Sequence, residues 1–167
     1  MADAPRKVPP SATRTEMTWI VMPGQTNSHG TVFGGQVAAW IDVCAAVSAQ
    51  RFCRSAVVTV AMDDLMFRAP IKRGHVAVLQ AQVNWAGRTS MEVGVRVEGE
   101  EPLTGNRVHT STAYLTFVAL DPQGNPRDVP ELERVTDEDR RRWREAERRR
   151  EWRLEIRDKG RPEKVPR

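Results

Sequence analysis

Between residues 56 and 120 apolar side chains recur at every second position in four runs, whereas the stretch from Val37 to about Cys53 is small and apolar almost without interruption. The alternating runs, residues 56–62, 75–83, 91–98 and 107–120, predict strands with one core face and one wet face. In the third run Met91, Val93, Val95 and Val97 alternate with Glu92, Gly94, Arg96 and Glu98. A further strand is predicted upstream over residues 16–22, ended by Pro23 and Gly24. The separators 70–74, 86–87 and 100–106 are turn-rich and too short for helical crossovers, so the pairing is predicted to be antiparallel. The uninterrupted run, rich in alanine, predicts a helix of about 20 residues and about 30 Å, buried on all sides. One long helix wrapped by a single curved antiparallel sheet is the economical α+β arrangement of these elements.

Beyond residue 126 the composition turns polar. Thr136 followed by Asp139 has the form of a capping box, and Asp137, Glu138 and Asp139 precede a run of arginines, as the helix dipole favours. A second helix is predicted there, charged, exposed, docked lightly on a neighbour and fraying after Arg157. The 167 residues therefore divide into a flexible leader over 1–14, with Pro5, Pro9 and Pro10, a single domain over 15–130, and an Arg/Glu-rich helical extension over 131–167. No stretch approaches the roughly 18 uncharged apolar residues of a membrane span, and the leader has no apolar run of a secretory signal. Cys44 and Cys53 share one helical segment and read as free thiols, so the expected compartment is the cytoplasm.

The net charge of +4 is uneven: residues 127–167 hold 15 of the 26 basic and 12 of the 22 acidic side chains. A basic tail on a nearly neutral core suits an anionic partner, either nucleic acid or a phosphorylated small molecule. Within the long helix, Asp42 is an ionisable carboxylate among apolar residues, with the small Ala38, Ala45 and Ala46 one turn away. Gly34 and Gly35 open the same helix, where free N–H groups can face a developing negative charge and a ligand can come close. Asn27, in the preceding loop, can orient a carbonyl or a water, and His29 is a second candidate base ranked below Asp42.

Taken in order, Pro23, Asn27, Gly30, Thr31, Phe33, Gly34, Gly35, Trp40 and Asp42 resemble the signature of the acyl-coenzyme A thioesterase family of hotdog proteins, the branch that includes the bacterial short-chain and brain-type cytosolic enzymes. Residues 58–63, 67–71, the Gly87-Arg88-Thr89-Ser90 turn, residues 116–121 and Val129-Pro130 extend the likeness over about residues 15–130. His75 stands after Gly74, where the family usually has aspartate. The resemblance implies a hotdog fold and hydrolysis of acyl-CoA to fatty acid and CoA. It also implies a catalytic pair, Asn27 and Asp42, supplied by opposite protomers. Asn27 and the Gly35 N–H would polarise the thioester carbonyl, with Asp42 acting either as general base or as nucleophile. Gly34, Thr59, Arg68, Arg88, Thr89 and Ser90 would bind the substrate and its CoA phosphates. No metal and no cofactor is implied, CoA being part of the substrate, and no membrane association. The implied assembly is a homo-oligomer, with a dimer as the minimum and a trimer of dimers as the expected hexamer. The competing readings are a hotdog acyl-CoA hydratase or dehydratase, for which His29 would handle a second proton, and a non-catalytic acyl-CoA sensing module. Nucleic-acid binding by the tail is unlike this pattern, since its acidic residues nearly cancel its charge.

Overall fold

In the computed structural model, which describes residues 7–63 and 65–159, the uninterrupted apolar run forms helix α1, Gly34–Cys53, 20 residues long. Arg54, in the left-handed conformation at φ 52°, ends it. Five antiparallel strands curl around α1: β2 (Thr15–Ile20), β3 (Ala56–Asp63), β4 (Val76–Ala86), β5 (Ser90–Glu100) and β6 (Arg107–Leu120). Their order across the sheet is β2-β4-β5-β6-β3, so β2 and β3 are its edges. β4 and β5, and β5 and β6, are hairpins joined by the short separators, and the long α1 segment carries the chain from one edge, β2, to the other, β3. This is the α+β arrangement expected from the pattern.

The concave face of the sheet and one side of α1 make the core. Val37, Trp40, Ile41, Cys44, Ala45, Ala49 and Phe52 of α1 are buried against Met91, Val93, Val95 and Val97 of β5 and Ala113, Leu115, Phe117 and Ala119 of β6. Burying a side chain the size of Phe52 or Ile41 stabilises by about 1.5–3 kcal/mol. Trp40 stacks on Trp19 of β2, the ring centroids 5.5 Å apart.

Four expectations are corrected. First, α1 is not buried on all sides: Gly35, Ala39 and Val43 form an exposed stripe with Asp42 half-exposed among them, because the sheet reaches only one side of the helix. Second, the outer face of β5 is not uniformly wet. Glu92 is 1% exposed there, covered by the second helix. Third, that helix, α2 (Asp137–Lys159), is more than lightly docked and continues past Arg157 to the last described residue. Trp143 meets Trp85 of β4 with centroids 5.9 Å apart, and Ala146 is buried. Its first turn carries the predicted capping box, with the Asp139 N–H donating to Thr136 Oγ1 at 3.1 Å and the Thr136 N–H to Asp139 Oδ2 at 2.9 Å. Fourth, the leader is tied down from Lys7. β1 (Lys7–Val8) pairs in parallel with β7 (Glu131–Leu132), and a 3-10 turn at Pro10–Thr13 buries Thr13, whose hydroxyl accepts from the Val83 N–H at 3.0 Å. Residues 1–6 lie outside the described residues.

Candidate active site

The loop before α1 is folded by its own polar groups. The Asn27 N–H donates to Thr31 O at 2.9 Å and the Gly30 N–H to Asn27 O at 3.0 Å, with Gly30 at φ 72°, a conformation that glycine adopts without strain. Asn27 Oδ1 accepts from the His29 N–H at 2.9 Å and the Thr31 N–H at 3.3 Å, while Nδ2 donates to Thr31 Oγ1 at 2.9 Å. The amide is thereby fixed in orientation, with one Nδ2 hydrogen left for a ligand. The His29 side chain is exposed.

Phe33 caps α1 without a side-chain hydrogen bond, and its carbonyl accepts from the N–H groups of Gln36 and Val37. Among the described residues, the N–H groups of Gly34 and Gly35 have no acceptor, so the positive end of the helix dipole is open there. A Cβ on Gly34 would sit 3.1 Å from the Phe67 ring, a tight contact, whereas a Cβ on Gly35 would meet nothing within 4 Å. A cavity of about 290 Å³ adjoins this end of the helix, lined by Thr31, Gly34, Val37, Phe67, Arg68 and Thr110 among others.

Asp42 lies on the exposed stripe of α1, and Thr59 of β3 donates to its Oδ1 at 2.6 Å. The resemblance implies a substrate contact for Thr59, whereas its hydroxyl here bonds Asp42, a helix-to-strand contact across 17 positions that no short sequence spacing announces. Gly35 and Asp42 are two turns apart on the same stripe, about 10 Å along the axis. No hydrogen bond joins Asn27 to Asp42 among the described residues. One chain therefore holds two separate groups, open donors at Asn27 and Gly35 and a carboxylate at Asp42 bonded to Thr59.

The basic residues divide in the same way. The Arg68 N–H donates to Thr110 O near the start of β6, whereas Thr89 O accepts from the Ala119 N–H at its end, nine residues and about 30 Å along the strand. Arg88 is exposed in the β4–β5 turn and reaches Asp128 at 3.6 Å, and the Gly87 N–H closes that turn on Ser90 O at 2.8 Å. On α2, Arg141 pairs with Glu138 and Glu145, and Arg142 with Glu138, on an exposed face. Hydrogen bonds from Arg141 and Arg142 hold the Glu138 carboxyl down to about 2. Arg149 and Arg153 instead point inward, to Glu92 and Asp63. A larger hollow of about 570 Å³ lies on the outer face of the sheet, bordered by Arg14, Gln82, Tyr114, Arg142 and Arg149, and contains none of Asn27, Gly35, Asp42 or Thr59. Cys44 is fully buried in the core; burial pushes its thiol up to about 11, against the opposing pull of Arg51 and with a small push from Glu16. Among the described residues no group of three or more His, Cys, Asp and Glu side chains is gathered to hold a metal ion, and no helix is long and apolar enough to cross a membrane.

A long central helix wrapped by one curled antiparallel sheet, with a carboxylate and free N–H groups along the helix's open stripe, defines a hotdog protein. Residues 29–105 match the thioesterase superfamily. The chain is 44% identical over 119 residues to the uncharacterized acyl-CoA thioester hydrolase YkhA of Bacillus subtilis, a match covering 71% of this chain and 69% of that one. A hexameric acyl-CoA thioesterase superposes with a TM-score of 0.87 at 41% identity, covering 90% of this chain and 97% of that one. The acyl-CoA hydrolase of Staphylococcus aureus, solved with butyryl coenzyme A and coenzyme A, superposes at 0.85 with 34% identity, covering 92% and 94%. That enzyme has also been solved with an aspartate, a threonine or an asparagine replaced by alanine. The chain belongs to the thioesterase superfamily.

Proposed function

We propose that this protein hydrolyses acyl-coenzyme A thioesters at sites shared between two facing protomers. The observation that carries the reading is the open stripe of α1, which presents the free Gly35 N–H and the Thr59-held Asp42 carboxylate about 10 Å apart, too far to act on one carbonyl from one chain. A two-fold axis would bring the donor end of one protomer to the carboxylate end of the other. Asn27 Nδ2 and the Gly35 N–H of one chain then polarise the thioester carbonyl. Asp42 of the other takes a proton from the attacking water, or attacks the carbonyl itself, and the bond to sulfur breaks to release CoA as the thiol and the acyl group as the acid. No step calls for a metal or a further cofactor. In the Staphylococcus aureus enzyme the three replaced residues have the types and the spacing along the chain of Asn27, Asp42 and Thr59 here, which supports these assignments.

The same dimer accounts for surface that one chain leaves uncovered. Val43 on the stripe and Val58 and Val60 on edge strand β3 are 50%, 44% and 60% exposed. An apolar helix stripe beside an unpaired strand edge is surface that a second copy covers. The pairing also sets the Arg68 end of one protomer beside the Arg88, Thr89 and Ser90 turn of the other, flanking one CoA. Hexameric relatives favour three such dimers. Buried, unpaired Cys44 and Cys53 fit a reducing, cytoplasmic setting.

The reading is tested by thiol release from acyl-CoA of two to sixteen carbons by the wild type and by Asp42→Ala, each checked for fold and assembly. Turnover that the substitution abolishes supports it. Undiminished turnover in the variant removes Asp42 from the chemistry, and binding without turnover in the wild type refutes hydrolysis itself.

A further inference from the structure

Edge strand β3 changes phase in its middle, and the change sends its two polar side chains to opposite faces of the sheet. Thr59 pairs with Phe117 and Ala61 with Thr116, leaving a bulge at Val60. Without the bulge Thr59 and Asp63, four residues apart, would share a face. With it, Thr59 lies beside core residue Phe117 on the α1 side, and Asp63, opposite Tyr114, lies on the outer side beneath α2.

There α2 grips it. Arg153 donates to Asp63 Oδ2 and, through both terminal nitrogens, to Glu92 Oε2 at 3.2 and 3.3 Å. Glu92 also accepts from Arg149 at 2.6 Å, and the Arg149 guanidinium lies 3.5 Å from the centre of the Tyr114 ring. The side chains of Arg153 and Asp63 are 18% and 14% exposed, in contrast to the 49% of Arg141 and Glu138 nearer the start of the helix. Desolvated, multiply bonded pairs of this kind hold their geometry far better than exposed ones. Within one chain β3 has only β6 as a strand neighbour among the described residues, and Arg153 adds a hold on it from α2.

We propose that Arg153 is a positioning residue for the reaction: by clamping Asp63 it fixes the phase of β3, and thereby keeps the Thr59 hydroxyl on the carboxylate of Asp42. A slip that absorbed the bulge would move Thr59 by one position and turn it away from α1. The inference rests on the reading of Asp42 as the working carboxylate.

The test is a double-mutant cycle on the full, assembled chain, with kcat and KM measured for Asp63→Asn, Thr59→Ala and the double variant, and Asp42→Ala as the reference. Asp63→Asn keeps the shape of the side chain and leaves the pairing of Glu92 with both arginines in place. The expected result is a kcat about tenfold lower with KM within about twofold, shrinking to less than about twofold in the Thr59→Ala background. Arg153→Lys, which keeps the charge, is expected to retain more of kcat than Arg153→Gln. Amide exchange over residues 57–62 is expected to accelerate in Asp63→Asn. An unchanged kcat, an equal loss in both backgrounds, or unchanged exchange in β3 overturns the proposal. Full activity in Asp42→Ala overturns instead the reading of Asp42 as the working carboxylate.

Discussion

The Thr59 hydroxyl donates to Asp42 Oδ1 at 2.6 Å, joining the edge strand of the sheet to the open stripe of the central helix. A hydrogen bond to a carboxylate is stronger than one between neutral groups and limits the carboxylate to one rotamer while leaving Oδ2 free. Thr59→Ala is expected to lower kcat about tenfold, the rate equivalent of losing one such bond at a partly exposed site, and Thr59→Ser to restore most of it. Steady-state kinetics on the two variants decide this; equal rates in both would show that the hydroxyl is idle.

Gly35 provides a separate probe, because a Cβ there meets nothing within 4 Å in its own chain. Gly35→Ala is expected to leave the melting temperature unchanged or slightly raised, alanine being the better helix former by about 1 kcal/mol in a helix interior. Turnover is expected to fall, since the methyl group would occupy the approach to the N–H. Paired melting and activity measurements separate the two effects, and an active Gly35→Ala would remove this N–H from the account.

Much of this fold was legible in the chain. The period-two runs located four strands to within a few residues, and the alanine-rich run located α1, because alternation and continuity report directly which side chains face a core. What the pattern could not report was the cover on the other side of each element. Glu92 alternates with buried valines and so reads as wet, yet its partners Arg149 and Arg153 come from 57 and 61 residues away. The open stripe of α1 was legible only at Asp42, whose face could meet solvent or another subunit; the exposure of Ala39 and Val43 was not, because apolar side chains there read as buried. Asn27, Gly35 and Asp42 were recognisable as an ordered set, whereas the bond from Thr59 to Asp42 depends on where a strand passes a helix.

Glu92 should also dominate the docking of α2. Its carboxylate is 1% exposed and meets two arginines, so Glu92→Ala leaves two partly buried guanidinium groups without a counter-charge on β5. A loss of about 3–5 kcal/mol is expected, the usual cost of removing one partner from a buried ion pair. Urea unfolding measures it, with Trp143 fluorescence reporting whether α2 separates first. A loss below about 1 kcal/mol would show that Trp143 and Ala146 carry the docking instead.

The buried Cys44 thiol gives a pH signature. Its pKa is raised from the ordinary 9.0 to about 11, so below 9.0 both folded and unfolded chains hold the proton, and between 9.0 and about 11 only the folded chain does. Stability from this group is therefore fully present below 9.0 and is lost as the pH rises toward 11. Melting temperature is expected to fall less steeply over that window in Cys44→Ala than in the wild type. Parallel curves for the two proteins would contradict the assignment.

The claim on which the mechanism turns is that Asn27 and Asp42 act on one thioester from different chains. It is tested by dissociating Asn27→Ala and Asp42→Ala proteins, each inactive alone, and reassembling them together. Random pairing makes half of the dimers mixed, and each mixed dimer regains one intact site, so about a quarter of the wild-type rate is expected to return. If reassembly mixes the chains, as differently tagged copies would verify, and no activity returns, both residues serve a site within one chain and the shared-site mechanism is wrong.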